Sequence, residues 1–372
     1  MVWVRTSFLW SRLRIDSVRH LTPSKGKSVT DFGLVIEPSA TYTAPLAKRI
    51  EAMGFGYFLA PDTQNLCADP YGQLNLAAVA TTTLRLGTGV TNPITRDSAV
   101  TAGALATMQV ESGGRVICGI GRGDSSAAHI GKKQATGKQM EEYVHAIRTY
   151  IAGGVVDRDG TPSAIRWIKP GDIPPVIIDM ACTGPKTIQL AADIADRVSF
   201  AVGSNPERIQ WAMDVFNARM AENGRDRNSV SVGAYVNLVC DNDKDRAISL
   251  ARTCAGLVAH FSGMEHSPTE HLPGEIKGYA NTLKSQYDMA HHGQEEGTHL
   301  QLIDEEFIQW IAIVGGPNEC IDKLGHLIND IGLQHISLLG GSPVAQPHGP
   351  RVTGAVDTME LFAEKVLPVF KS

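Results

Sequence analysis

Between Leu86 and Ser126 two short apolar strands follow one another, and each ends in a glycine-rich polar loop that opens a helix. The first runs into Gly87-Thr88-Gly89-Val90 and on through Thr91-Asn92-Pro93-Ile94-Thr95-Arg96. The second leads into Gly119-Ile120-Gly121-Arg122-Gly123-Asp124-Ser125-Ser126. In a parallel α/β protein, ligands bind at the C-terminal ends of the strands. Backbone free of side chains at that place lets a flat or phosphorylated cofactor come close. The segment therefore predicts a cofactor-binding enzyme.

The same rhythm continues along the chain. Strand patterns fall at 32–36, 57–60, 85–88, 116–119, 175–178, 198–202, 230–238 and 335–339. Helical patterns follow at 42–53, 71–81, 98–111, 139–152, 185–195, 206–223, 317–330 and 358–370, and 153–171 reads as an irregular excursion. Eight strands, each followed by helical sequence, predict an α/β (β/α)8 TIM barrel over 31–372. A polar helical insertion is expected after the seventh strand, at about 243–311. A doubly wound sheet is the alternative, but it would want a dinucleotide fingerprint after its first strand, where Glu37-Pro38-Ser39 stands.

A hydrophobic share of 43% and a charged share of 20% are those of a soluble globular protein. The net charge of −5 hides an asymmetry: residues 1–30 hold six basic residues against the single acid Asp16. The body is thus acidic, which excludes a nucleic-acid-binding role. Residues 1–30 are expected to lie outside the fold, as a disordered extension or the product of a start codon upstream of the true one, a transit peptide being the alternative. No apolar run is long enough to span a membrane. The six cysteines are scattered without a Cys-x-x-Cys pair, as expected of reduced thiols in the cytoplasm, and they offer no zinc spacing.

Several candidate sites have plainer readings. Gly119-x-Gly121-x-Gly123 is not the dinucleotide motif, because its third glycine falls one residue early and it follows the fourth strand. Arg122-Gly123-Asp124-Ser125 matches an integrin-binding string by chance. Asp62, closing the second strand, either caps the next segment or reaches a ring lying across the barrel mouth. Thr183-Gly184-Pro185-Lys186 opens a helix and is a phosphate seat or a simple cap. The histidines His260, His266, His271, His291, His292 and His299 do not share a compact ligand spacing. They predict a lid or an exposed helical face, and no metal.

Taken together, the loops at 87–96 and 119–124 resemble those of the bacterial-luciferase-like superfamily. The coenzyme F420-dependent branch, which includes methylenetetrahydromethanopterin reductases, is the nearer match. Ala181-Cys182-Thr183-Gly184-Pro185-Lys186 and Ile313-Val314-Gly315-Gly316-Pro317-Asn318-Glu319 add to the resemblance, which spans most of 31–372 outside the insertion. It implies a barrel holding a deazaflavin or flavin at its C-terminal mouth. A non-proline cis peptide at Gly89-Val90 would back the ring beside Thr88. Asp62 would contact the ring and Asn92 to Arg96 would wrap it. Gly121 and Gly123 would lie alongside, and Cys182, Thr183 and Gly184 would hold the side-chain phosphate.

The chemistry so implied is hydride transfer between a small organic substrate and coenzyme F420, with Asp62 and Asp124 as catalytic candidates. Asp124 stands where the family usually has glutamate. Thr63 replaces the histidine of the sugar-phosphate dehydrogenases, which argues against their alcohol oxidation. The alternative cofactor is FMN, in a monooxygenase supplied by a separate flavin reductase. A further alternative is a barrel that binds a ligand without catalysis. The resemblance also implies a homodimer, paired through the apolar helices at 71–81 and 98–111.

Overall fold

The computed structural model describes residues 29–262, 274–293, 297–339, 345–346, 349–350 and 355–371. Eight parallel strands close on themselves: β1 Asp31–Val35, β2 Tyr57–Ala60, β3 Arg85–Thr91, β4 Val116–Ile120, β5 Ile177–Cys182, β6 Arg197–Phe200, β7 Ser231–Cys240 and β8 His335–Leu339. Each strand pairs with its neighbour in the chain, and β8 pairs with both β7 and β1. Closure leaves the barrel without an unpaired edge. The (β/α)8 barrel expected from the sequence is the fold.

Side chains alternate across the strands. Val35, Tyr57, Leu59, Ile117 and Tyr235 fill the lumen, with Val90, Ala181 and Leu339 packed against them. Phe32, Leu34, Phe58, Leu86, Cys118, Ile178 and Val198 point the other way, into the layer beneath the helices. One half of the lumen is closed by polar groups. Arg197 lies over the Tyr57 ring at 4.7 Å and meets the buried Asp179 at 3.2 Å. The Ser199 hydroxyl donates to Asp179 at 2.8 Å, and Tyr57 Oη lies 2.9 Å from Ser337 Oγ. Gly33 and Gly233 make room for this floor, since a Cβ on either would fall about 2 Å from Tyr57 or His335. The opposite, C-terminal end of the barrel is where a ligand can enter.

Helix signals in the sequence translate directly into structure. The helix Ser98–Glu111 starts where Asp97 accepts from the Ala99 N–H. The helix Pro206–Asn223 is capped by Asn205 and stopped by Gly224 at φ 67°. The expected irregular stretch at 153–171 instead contains a hairpin, Val156–Arg158 against Thr161–Ser163. Its turn residues, Asp159 and Gly160, both have positive φ, which is the backbone that an Asp-Gly pair favours.

After β7 the chain leaves the barrel through the helices Lys244–Ser262, Gly274–Gln286 and Glu305–Ile311. These build a small core of their own around Ala251, Ala255, Val258, Phe307 and Ile311. A short strand missed in the sequence, Ile313–Gly315, then returns beside Leu238–Cys240 of β7. His266, His271 and residues 1–28 lie outside the described residues. No described helix is long and apolar enough to cross a membrane.

Candidate active site

The end of β3 is bulged: its register against β4 shifts between Thr88 and Thr91. The Gly89–Val90 peptide bond there is cis, as the resemblance implies. Glycines let the strands crowd around it. A Cβ on Gly89 would lie 2.7 Å from Leu59 Cβ, one on Gly119 would lie 2.0 Å from the Thr88 carbonyl oxygen, and one on Gly121 would lie 2.9 Å from Val90 Cγ2. Thr88 Oγ1 donates to the Gly119 carbonyl at 2.7 Å, and the Gly121 N–H donates to the Thr91 carbonyl at 2.9 Å. The two glycine loops are thereby fastened together across the barrel mouth.

Asp62 holds the bulge from the β2 side. Its N–H donates to the Val90 carbonyl at 3.3 Å. Its carboxylate, 0% exposed, accepts from Thr91 Oγ1 (2.8 Å) and Arg96 Nε (2.9 Å) on one oxygen. The other oxygen accepts from Gln64 Nε2 (3.0 Å) and Arg96 Nη2 (3.3 Å). Four donors fill the acceptor capacity of a carboxylate. Arg96 stacks on Tyr71 at 4.4 Å and reaches Asp69 as well. Asn92 joins the β3 and β4 loops: its amide donates to Ser126 Oγ at 3.0 Å and its oxygen accepts from the N–H groups of Ile94 and Thr95.

Gly123, at φ 80°, turns the chain into Asp124. One Asp124 oxygen accepts from Gln134 Nε2 at 2.8 Å, and the other lies 2.8 Å from His260 Nε2. Burial alone would raise this carboxyl. The hydrogen bond and charge of His260, with help from Gln134, outweigh it and hold Asp124 below its ordinary range. His260 belongs to the insertion, so this contact pins the insertion to the β4 loop.

The histidines form neither an exposed face nor a metal shell among the described residues. His260 stacks on Tyr287 at 3.9 Å, and the Tyr287 hydroxyl lies 2.9 Å from His292 Nδ1. His292 and His299 are buried, and burial pushes His292 down to about 4. These rings pack on one another because together they cover the aromatic face of Tyr287.

Thr183 and Gly184 lie at the end of β5, where the helix Pro185–Ile194 begins. Gly184 N–H donates to the Thr187 hydroxyl at 3.3 Å. The first-turn N–H groups of Lys186 and Thr187 lack intrahelical acceptors by position and are free for an anion. The Cys182 side chain, in contrast, is turned away from the mouth. Its sulfur is buried in the helix layer against the carbonyls of Met180 and Thr187, because strand alternation gives the lumen position to Ala181.

One site residue escaped the sequence reading. Glu37 continues the inward-facing series Gly33, Val35 on β1 and so stands at the mouth, two residues beyond Val35 Cγ1, which lies 3.4 Å from where a Cβ on Gly89 would be. Its carboxyl faces Gly293 of the insertion, and burial pushes it up to about 7. The period-two alternation along 33–37 was the signal that could have found it.

Nine of the expected residues (Asp62, Thr88, Gly89, Val90, Asn92, Arg96, Gly121, Gly123 and Asp124) thus form one connected wall where β2, β3 and β4 end. Comparison with known proteins places the chain among its relatives. The 5,10-methylenetetrahydromethanopterin reductase of Methanopyrus kandleri is 32% identical over 365 residues, covering 91% of this chain and 98% of that protein. The enzyme of the same name from Archaeoglobus fulgidus is 30% identical, covering 91% and 99%. The solved structure of coenzyme F420 dependent tetrahydromethanopterin reductase from Methanopyrus kandleri superposes with a TM-score of 0.71 at 26% identity, covering 92% of this chain and 99% of that one. The profile of the luciferase-like monooxygenase family matches residues 18–335, and the chain, an oxidoreductase by its relatives, belongs to that family.

Proposed function

We propose that this protein is a coenzyme F420-dependent oxidoreductase that moves a hydride to or from a small organic substrate. The observation that carries the reading is the β3 bulge at Gly89 and Val90, fixed by Asp62 and kept clear by Gly119 and Gly121. Such a wall fits a flat tricyclic ring: it is side-chain-poor, it has Val90 at its centre, and a Cβ on either β4-loop glycine would crowd it. The solved reductase at 26% identity is named as coenzyme F420 dependent, which supports the deazaflavin over FMN.

The bound cofactor would supply a hydride donor or acceptor at its C5. Val90 backs the ring. Asp62, with its acceptor sites filled, is a positioning residue that fixes Val90, Thr91 and Arg96. Thr183 and the first-turn N–H groups of Lys186 and Thr187 receive the side-chain phosphate, and Cys182 takes part only through its backbone. Asp124, held ionised, is an acceptor that keeps His260 and the insertion in place.

The chain is further expected to work as a homodimer in the cytoplasm. Leu76, Val79, Val100 and Val110 leave an exposed apolar surface on the helices Pro70–Ala80 and Ser98–Glu111, suited to a second copy. All six cysteines are free thiols.

Titration of the full chain with F420 and FMN side by side, by cofactor fluorescence and calorimetry, tests the reading. Micromolar or tighter F420 binding with little FMN binding is expected. Preference for FMN would move the assignment to a monooxygenase with a reductase partner, and failure to bind either would leave a non-catalytic barrel.

A further inference from the structure

Hydride transfer to a polar double bond leaves a proton to be delivered, and the groups already described are poorly placed to deliver it. Asp62 is saturated by four donors. Asp124 is held as a carboxylate between Gln134 and His260. His292 is buried, and its Nδ1 is engaged by Tyr287. Glu37 differs from all of these. It faces the lumen at the mouth, above the Val35–Gly89 contact, and opposes the insertion at Gly293. Among the described residues its carboxyl has no hydrogen bond or ion pair.

Resting on the cofactor reading above, we propose that Glu37 is the catalytic acid and base of this enzyme, acting on a substrate with a C=N or C=O bond. In the reducing direction the substrate carbon takes the hydride, and with it both electrons, from the reduced deazaflavin. The π bond breaks towards the heteroatom, which takes the proton from the Glu37 O–H. Glu37 is left as a carboxylate and regains its proton from water at the mouth. In the oxidising direction the carboxylate accepts the proton and the oxidised deazaflavin takes the hydride.

The surroundings suit this task. Among the described residues, the titratable groups around Glu37 include Cys67, on the loop after β2, which feels its charge, and His292, next in the chain to Gly293. Burial pushes the Cys67 thiol up to about 12 and His292 down to about 4, so both are uncharged near neutrality. Asp62 and Asp69 stand beyond Cys67, and Asp62 is already paired with Arg96. With no cation opposite among the described residues, burial keeps the Glu37 proton available near neutral pH, where an acid–base group is most effective.

The test uses the full chain and the variants Glu37→Gln and Glu37→Asp. Carbon-13 NMR of glutamate-labelled protein should show one carboxyl titrating near pH 7 and missing from Glu37→Gln. A Glu37 signal titrating at the ordinary carboxylate value would overturn the proposal. F420 titration should give the same affinity for all three proteins within about threefold. Reduction is then followed with a neutral cyclic imine and with acetone as C=N and C=O probes. At least a hundredfold loss of kcat is expected in Glu37→Gln, within the usual range for a lost general acid. The wild-type rate should fall as pH rises above about 7. That limb should shift in Glu37→Asp and vanish in Glu37→Gln, which a purely structural role would not produce.

Retained turnover in Glu37→Gln overturns the catalytic role. F420 binding without reduction of either probe overturns the substrate class. Failure of the wild type to bind F420 strikes the cofactor reading instead, and the NMR titration still reports on Glu37.

Discussion

Glu37 makes a prediction about stability that is independent of any substrate. Burial pushes its carboxyl from 4.5 to about 7. The folded protein therefore binds this proton more tightly than the unfolded chain does. The resulting stabilisation is fully present below about pH 4.5, declines as pH rises, and is gone above about 7. At about 1.4 kcal/mol per pKa unit the full difference is about 3 kcal/mol. Glu37 keeps some exposure, so solvent screening reduces the expected value to about 1–3 kcal/mol. The Glu37→Gln variant keeps the shape and removes the charge. It should match the wild type near pH 4 and exceed it by that amount at pH 8–9, as a rise of a few degrees in Tm. Thermal unfolding of both proteins from pH 4 to 9 measures this, and taking the difference cancels every other titrating group. A difference constant with pH, or of the opposite sign at high pH, would refute the burial argument.

Other residues give separate tests. Asp62→Asn leaves the Arg96 guanidinium without its buried counter-charge and should cost about 3 kcal/mol. It should also weaken F420 binding, and unchanged unfolding and titration curves would remove Asp62 from its positioning role. Gly121→Ala pushes a methyl group against Val90 and should weaken cofactor binding at least tenfold, at a stability cost of about 1–3 kcal/mol read by denaturant unfolding. In Asp124→Asn the charge-assisted bond to His260 is lost, so hydrogen exchange should rise in the helix Lys244–Ser262 while the barrel strands keep their protection. Because Asp124 is held below its ordinary range, wild-type protection of that helix should weaken as pH falls through the acid range. The double change Leu76→Glu and Val79→Glu should convert a dimer to a monomer on size-exclusion chromatography.

Most of the barrel could be read from local patterns. The helix at 206–223 was legible because Pro206 in its first turn and Gly224 at its end stand within a few residues of the bounds they mark. The β3 and β4 loops were legible for a related reason, since close strand approach and tight turns demand glycine at those places. The hairpin at 156–163 was also signalled, by Asp159-Gly160, but its strands are only three residues long and carry little alternation. What could not be read was contact over distance. His260 meets Asp124 across 136 positions of chain, and Tyr287 gathers three histidines that sequence spacing could only test against metal geometry. Asp62 was visible as a carboxylate at a strand end. That its four donors leave it no free acceptor depends on Arg96 and Thr91 folding back onto it. Cys182 was misplaced by one step of a strand's alternation, and Glu37 was overlooked although the same alternation points to it.

The strand Ile313–Gly315 has a consequence for how such enzymes can diversify. It lies beside Leu238–Cys240, so the excursion that begins after Cys240 comes home to the strand it left. Both ends of some seventy residues are moored at one point on the barrel rim, and the helices between them carry a core of their own. The segment can therefore be lengthened, shortened or exchanged without altering the registers that close the eight strands. The wall on β2 to β4 lies on other strands and meets this segment through the Asp124–His260 contact. A graft across Cys240 and Ile313 could thus replace the segment while the eight strands stay closed, provided that it brings its own partner for Asp124.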